Sequence, residues 1–155
     1  MKTQRRLHSR PVVIALAIAC VMALVAAWHF TAQTSAAAGP PLEIRWHGNG
    51  IVLQGAVRDV ATQRALAEGA AARLGGETDQ VVDWLDIVPS ALPVADAAAL
   101  ADLIRLGQEG WHLQRRPTDG WLAVQSLSDE RSTKARALLR SAFGADVSIE
   151  LVALP

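Results

Sequence analysis

Two histidines invite a metal-site reading: His47 and His112 each stand on the polar side of a short alternating run, Leu42-Glu43-Ile44-Arg45-Trp46-His47 and Trp111-His112-Leu113-Gln114. Imidazoles on matching strands can share a transition metal, but no third ligand accompanies either one at a sensible spacing. They read as surface histidines. Asp79, Asp83 and Asp86 bring three carboxylates close together, yet the stretch lacks the glycine-punctuated loop that wraps Ca²⁺, so they read as solvated charges at a strand edge. The body contains no Gly-x-Ser-x-Gly, no phosphate loop, no His-Glu-x-x-His and no placeable Ser/His/Asp set. The expectation is a protein without catalytic residues, metal or cofactor.

Residues suited to contact are easier to find. Arg115 and Arg116, just before Pro117, form the only adjacent basic pair of the body and are candidates for touching phospholipid headgroups. Four tryptophans, Trp46, Trp84, Trp111 and Trp121, fall in predicted strands, while tyrosine is absent. Buried tryptophan is the default, but one on an outward face anchors a partner well. Trp46 and Trp121 are the candidates for that role.

These residues sit in a chain of 155 with 51% hydrophobic residues, enough for one compact domain or two very small ones. Fifteen basic residues balance fifteen acidic ones, but Lys2, Arg5, Arg6 and Arg10 lie at the N-terminus and every acid lies at Glu43 or beyond, so the body is mildly acidic. Without a basic stripe to displace counterions, nucleic acid is not an expected partner. Cys20 is the single cysteine; an intramolecular disulfide and a Cys-ligated zinc site are both excluded. Ala17-Ile18-Ala19-Cys20 only loosely resembles a lipidation motif.

Pro11 to Trp28 carries no charge, and an apolar helix of that length, roughly 25 Å, spans a bilayer. The reading is a basic cytoplasmic segment at 1–10, a transmembrane anchor at 11–30 and a linker at 31–41, with the body carried across the bacterial inner membrane into the periplasm. The rival is a signal peptide cleaved near Ala36-Ala37-Ala38. Either one exports the body.

The body reads as a duplication. A slide of 70 residues places Gly50 on Gly120, Val52 on Leu122, Val57 on Leu127, Asp59 on Asp129, Thr62 on Ser132 and Ala65 on Ala135. Each copy predicts a hairpin turning at Asn49-Gly50 or Asp119-Gly120, where glycine suits a positive φ. A helix follows, with Asp59 or Asp129 near its N-terminus, and then a closing strand, Val81–Val88 or Val147–Val152. Pro89 to Pro93 is the linker between the copies, and Val94 to Leu106 predicts a helix that leads the second. The expected fold class is α+β: two small units, 42–89 and 94–155, of α-β-β-α-β order, the first without its leading helix, packed on one another.

The strand Gly50-Ile51-Val52-Leu53-Gln54-Gly55-Ala56-Val57, the Ala-rich helix after it and the closing Val81-Val82-Asp83-Trp84-Leu85 resemble the BON domain, a module of bacterial envelope proteins. Residues 42–155 are similar to the tandem BON region of outer-membrane-protein-A-like proteins. The second copy departs from the pattern with Gln125 in place of Gly55, and no peptidoglycan-binding domain follows Pro155, so peptidoglycan attachment is not carried over. The resemblance implies a non-catalytic periplasmic module that binds envelope or inner-membrane proteins, or phospholipid. The alternative comes from a second resemblance, to ring-building domains of secretion-system inner-membrane components: a self-assembling part of an envelope complex.

Overall fold

A computed structural model of the chain describes residues 39–154. The proposed basic segment and anchor, and all but the end of the linker, lie outside them. Among the described residues no helix is long and apolar enough to cross a membrane.

The described residues form a mixed α+β structure, with one six-stranded sheet and three helices. The strands are β1 (Glu43–His47), β2 (Gly50–Val57), β3 (Val81–Ile87), β4 (His112–Arg115), β5 (Asp119–Val124) and β6 (Ser148–Ala153). The helices are α1 (Val60–Arg73), α2 (Ala97–Leu106) and α3 (Glu130–Phe143). The sheet order is β3-β2-β1-β4-β5-β6. Each half is a hairpin whose second strand is followed by a helix and a parallel partner strand. The halves share one continuous sheet, joined where β1 and β4 pair antiparallel through Glu43↔Gln114, Ile44↔Leu113 and Arg45↔His112.

Alternation decides which face is buried. Leu42, Ile44 and Trp46 on and beside β1, Ile51 and Leu53 on β2, Leu113 on β4 and Leu122 on β5 point to the helix side and are at most 4% exposed. Above them lie Leu66 and Ala70 of α1, Leu100, Leu103 and Ile104 of α2, and Leu139, Ala142 and Phe143 of α3. Helix α2 packs against both other helices, so it roofs the middle of the sheet instead of leading one half. It approaches α1 closely: a Cβ on Gly69 would come within 3.0 Å of Ala101 backbone and side chain. All three helices cover the same face, and among the described residues no helix lies on the other.

The turns differ from expectation. The first turns at Gly48-Asn49 and the second at Pro117-Thr118, so Gly50 and Gly120 lie inside strands, and neither has a positive φ. Close approach is what requires them to be glycine: a Cβ would meet the Gln80 carbonyl oxygen at 2.7 Å from Gly50, and the Phe143 ring at 2.8 Å from Gly120. Gly55 does need its freedom, with φ +103° and the Pro41 carbonyl oxygen 2.0 Å from where a Cβ would stand. The second copy has no such approach, because β5 ends at Val124 and Gln125 is exposed.

The 70-residue slide matches the helices end to end, 60–73 against 130–143, but it fails in the strands. Val52 pairs with exposed Arg45 on the open face, whereas Leu122 pairs with buried Leu113 on the helix face. The hairpins instead superpose on a slide of 69, since His47 and Gly50 close the first and Arg116 and Asp119 the second; the odd residue lies between β5 and α3, and a period of two then reverses the faces.

Candidate binding face

Among the described residues one face of the six-stranded sheet carries no helix. Paired residues share a face, so one cross-strand row runs through all six strands: Trp84, Gln54, Glu43, Gln114, Trp121 and Glu150. Its two tryptophans lie four strand spacings apart, about 19 Å. Trp84 is 67% exposed, and Trp121 is half-buried.

Glu43 stands at the centre, on the joining strand β1, and is buried although it faces outward. Four donors surround its carboxylate. Arg45 Nε and Nη2 donate to Oε1 at 3.0 and 2.6 Å, His112 Nε2 bonds the same oxygen, and Gln54 Nε2 donates to Oε2. Burial acts to raise the carboxyl pKa, but the hydrogen bonds and charges of Arg45 and His112 outweigh it and hold the group below the usual carboxylate range. His112 also meets the Trp121 ring edge-on at 5.1 Å. On the far side of Trp121, the Arg116 guanidinium lies 5.2 Å from the ring centroid, and its Nε donates to Gln114 Oε1 at 3.1 Å. Arg116 Nη1 also lies 3.6 Å from Asp119 Oδ2 and 3.9 Å from Glu150 Oε2. The row is thus cross-linked by planar polar groups between its two aromatic ends.

Of the contact residues read from sequence, Trp121 and Arg116 belong to this face. Trp46 does not: it is 3% exposed on the helix side, and its Nε1 donates to the Ile104 carbonyl at 3.0 Å. Its alternation with Leu42 and Ile44 already places it in the core. Arg115 is likewise turned inward, 3% exposed, with its guanidinium 5.1 Å from the Phe143 centroid and Nη1 bonded to the Asp119 and Arg116 carbonyls. Burial lowers its pKa, with the Asp119 charge opposing. A buried guanidinium cannot reach a lipid headgroup, which removes half of the basic pair. The basic pair fails because Arg115 follows Leu113 at a spacing of two and shares its face.

Asp59 caps α1 through a bond from the Thr62 amide at 2.7 Å, and Asp129 caps α3 through the Arg131 amide at 3.0 Å. Asp83 accepts from Gln63 Nε2 at 3.1 Å and Asp86 is exposed. Among the described residues no group of three His, Cys, Asp or Glu is placed to hold a metal. His47 and His112 border a shallow depression of about 350 Å³ shared with Arg45, Trp46, Gly110 and Trp111. His112 is no free surface histidine, since Glu43 engages it.

Glu43, Gln54 and Gln114 are absent from the residues singled out in the sequence, and Trp84 is not among its anchors. The Glu43–Gln54 pairing did not follow from the expected turn at Asn49-Gly50, which would set Glu43 opposite Ala56; the hairpin closing at Gly48-Asn49 sets it opposite Gln54. The exposure of Trp84 follows from its neighbours, since Asp83 and Leu85 bracket it on the other face. No protein-family model matches this chain, and no curated protein matches it.

Proposed function

We propose that this chain is a non-catalytic binding module with two BON-like halves, held at the bacterial inner membrane by an anchor at 11–30 with its body in the periplasm, and that an envelope protein docks on the helix-free sheet face. One observation carries this reading. A tryptophan 67% exposed lies in a strand, in one row with a second aromatic and a set of fixed polar groups, on a face that no helix among the described residues covers. Exposed tryptophan flanked by polar groups is the composition of binding hot spots. The doubled β-β-α-β order is what tandem BON units lead one to expect. The phospholipid reading is left with Arg116, whose charge is already shared by Asp119 and Glu150.

The test is a photo-reactive residue in place of exposed His47, which lies on the same face, in the full chain in cells. A single adduct with another envelope protein, lost when Trp84→Ala and Trp121→Ala are added, supports the reading. Adducts unaffected by those changes, or formed equally from a residue on the outer side of α3, overturn it.

A further inference from the structure

The charge of the body is divided between its two lateral sides. From Leu74 to Ile104 the chain has no Lys or Arg and carries Glu77, Asp79, Asp83, Asp86, Asp96 and Asp102. The first four of these lie on β3 and the loop that leads into it, at one edge of the sheet. From Arg131 to Ala145 there is no Asp or Glu, and α3 carries Arg131, Lys134, Arg136 and Arg140. All four are exposed, and no described carboxylate lies within ion-pair distance of any of them. Helix α3 packs on β5 and β6, at the opposite edge.

The orientation of α3 sorts its cations. Arg131 and Lys134 share a depression with Leu106 of α2, and Ser141 bonds Asp96 before α2, so that flank faces α2. At 100° per residue Arg136 and Arg140 fall on the other flank, above the β6 edge. At the acidic edge, α1 offers no compensation: Arg64 and Glu68 cancel, and Arg73 donates to the Gly107 carbonyl beside α2. Exposed Ile87, 45%, lies among the β3 acids and is paired with buried Val57 on the helix side of the sheet. At the basic edge, Glu150 is engaged by Arg116, Glu130 stands in the first turn of α3 in the depression shared with Leu106 of α2, and Asp146 follows the helix.

We propose that the acidic β3 edge of one copy docks on the Arg136/Arg140 flank of α3 in the next, with Ile87 as the apolar centre of the contact. The two surfaces are separated by the width of six strands, about 24 Å, so neither can satisfy the other within one chain. A second copy supplies the complement to both. The contact is between side chains, not an extended sheet, because the Asp83 carboxylate already takes the Leu85 amide at 3.0 Å, which blunts β3 for strand pairing. Because it joins two different surfaces, it is heterologous and propagates, into a closed ring or an open filament according to the rotation between copies. It leaves the helix-free face uncovered, so assembly would array the proposed docking faces side by side.

The experiment uses the full chain in detergent, followed by chemical cross-linking and sedimentation at low salt and at roughly 0.5 M salt, where the Debye length is about 4 Å. Two reversed chains are made, Asp79→Lys with Asp86→Lys and Arg136→Glu with Arg140→Glu, all at exposed positions. The expected result is oligomers beyond the dimer that dissociate in high salt, weakened at least about tenfold by either reversal and restored when the two reversed chains are mixed in equal amounts. A monomer at low salt overturns the proposal. So do a species that stops at the dimer, assembly indifferent to either reversal, and a mixture that fails to reassemble while both chains keep the wild-type urea midpoint. If a reversal lowers that midpoint, the neutral chain with Arg136→Gln and Arg140→Gln decides by the same comparison.

Discussion

Glu43 of β1 and His112 of β4 meet across the strand pair that joins the two halves of the sheet, 69 residues apart in sequence. A carboxylate on the outward side of a central strand is ordinarily left to water. Here burial and four donors make it a structural group, and the halves are tied on both faces: by Ile44 and Leu113 beneath and by Glu43 and His112 above.

Removing the carboxylate leaves Arg45, Gln54 and His112 without their acceptor. Glu43→Ala is expected to lower stability by about 2 kcal/mol, the size of a lost buried hydrogen-bond cluster whose donors remain partly wet. Glu43→Gln, which keeps the shape and one acceptor oxygen, should cost less. Urea midpoints of the two variants measure the difference, and equal losses would mean that packing, not the carboxylate, is what matters.

The same group sets an acid limit. Its folded pKa is depressed by Arg45 and His112 against the opposing effect of burial, so its contribution is fully present above the unfolded value, about 4.3. The contribution is lost as pH falls from there through the folded value, because the unfolded chain then binds the proton more readily. Wild type should therefore lose stability below about pH 4.3 more steeply than Glu43→Gln does. Parallel pH profiles for the two would remove Glu43 from the account.

How much of this was legible depends on sequence distance. The long helices could be placed because an aspartate precedes each and glycines follow, at Gly75 and Gly144. The hairpins could be placed because alternation carries through them. Even the inward turn of Arg115 and Trp46 was written in their spacing from Leu113 and Ile44. The β1–β4 seam was not legible: its register rests on the packing of α2 between two other helices, and no local pattern specifies which strand edges two similar units will join. Glu43 with His112 lies on that seam, so the centre of the face was invisible while both of its tryptophans could be read.

The tryptophans should separate by location. Trp46→Ala empties a core site and removes the bond to Ile104, and is expected to cost about 3–5 kcal/mol; Trp84→Ala should change stability by less than about 0.5 kcal/mol. Gly107→Ala belongs with the first, because its Cβ would fall 2.1 Å from Trp46 Nε1, where the ring is fixed by its hydrogen bond. Thermal or urea unfolding checks all three. A large loss at Trp84 would show that the exposed ring is held by the fold and is not free for a partner.

Gly69 offers the sharpest test of the helix layer. In an exposed helix, replacing glycine by a residue with a side chain gains up to about 1 kcal/mol from propensity. At this position a Cβ would lie 3.0 Å from the Ala101 Cα, Cβ and carbonyl oxygen, and α2 cannot retreat because α3 and the sheet hold its other sides. Overpacking of this kind costs about 1–3 kcal/mol, so steric cost outweighs propensity. Gly69→Val should destabilise by that amount. Gly69→Ala should show a smaller loss, since one methyl asks Ala101 to give by only a few tenths of an ångström, and Ala101→Gly in the same chain should restore most of it. If Gly69→Val were as stable as wild type, the close approach of α1 to α2 would be wrong, and with it the placement of α2 over the seam.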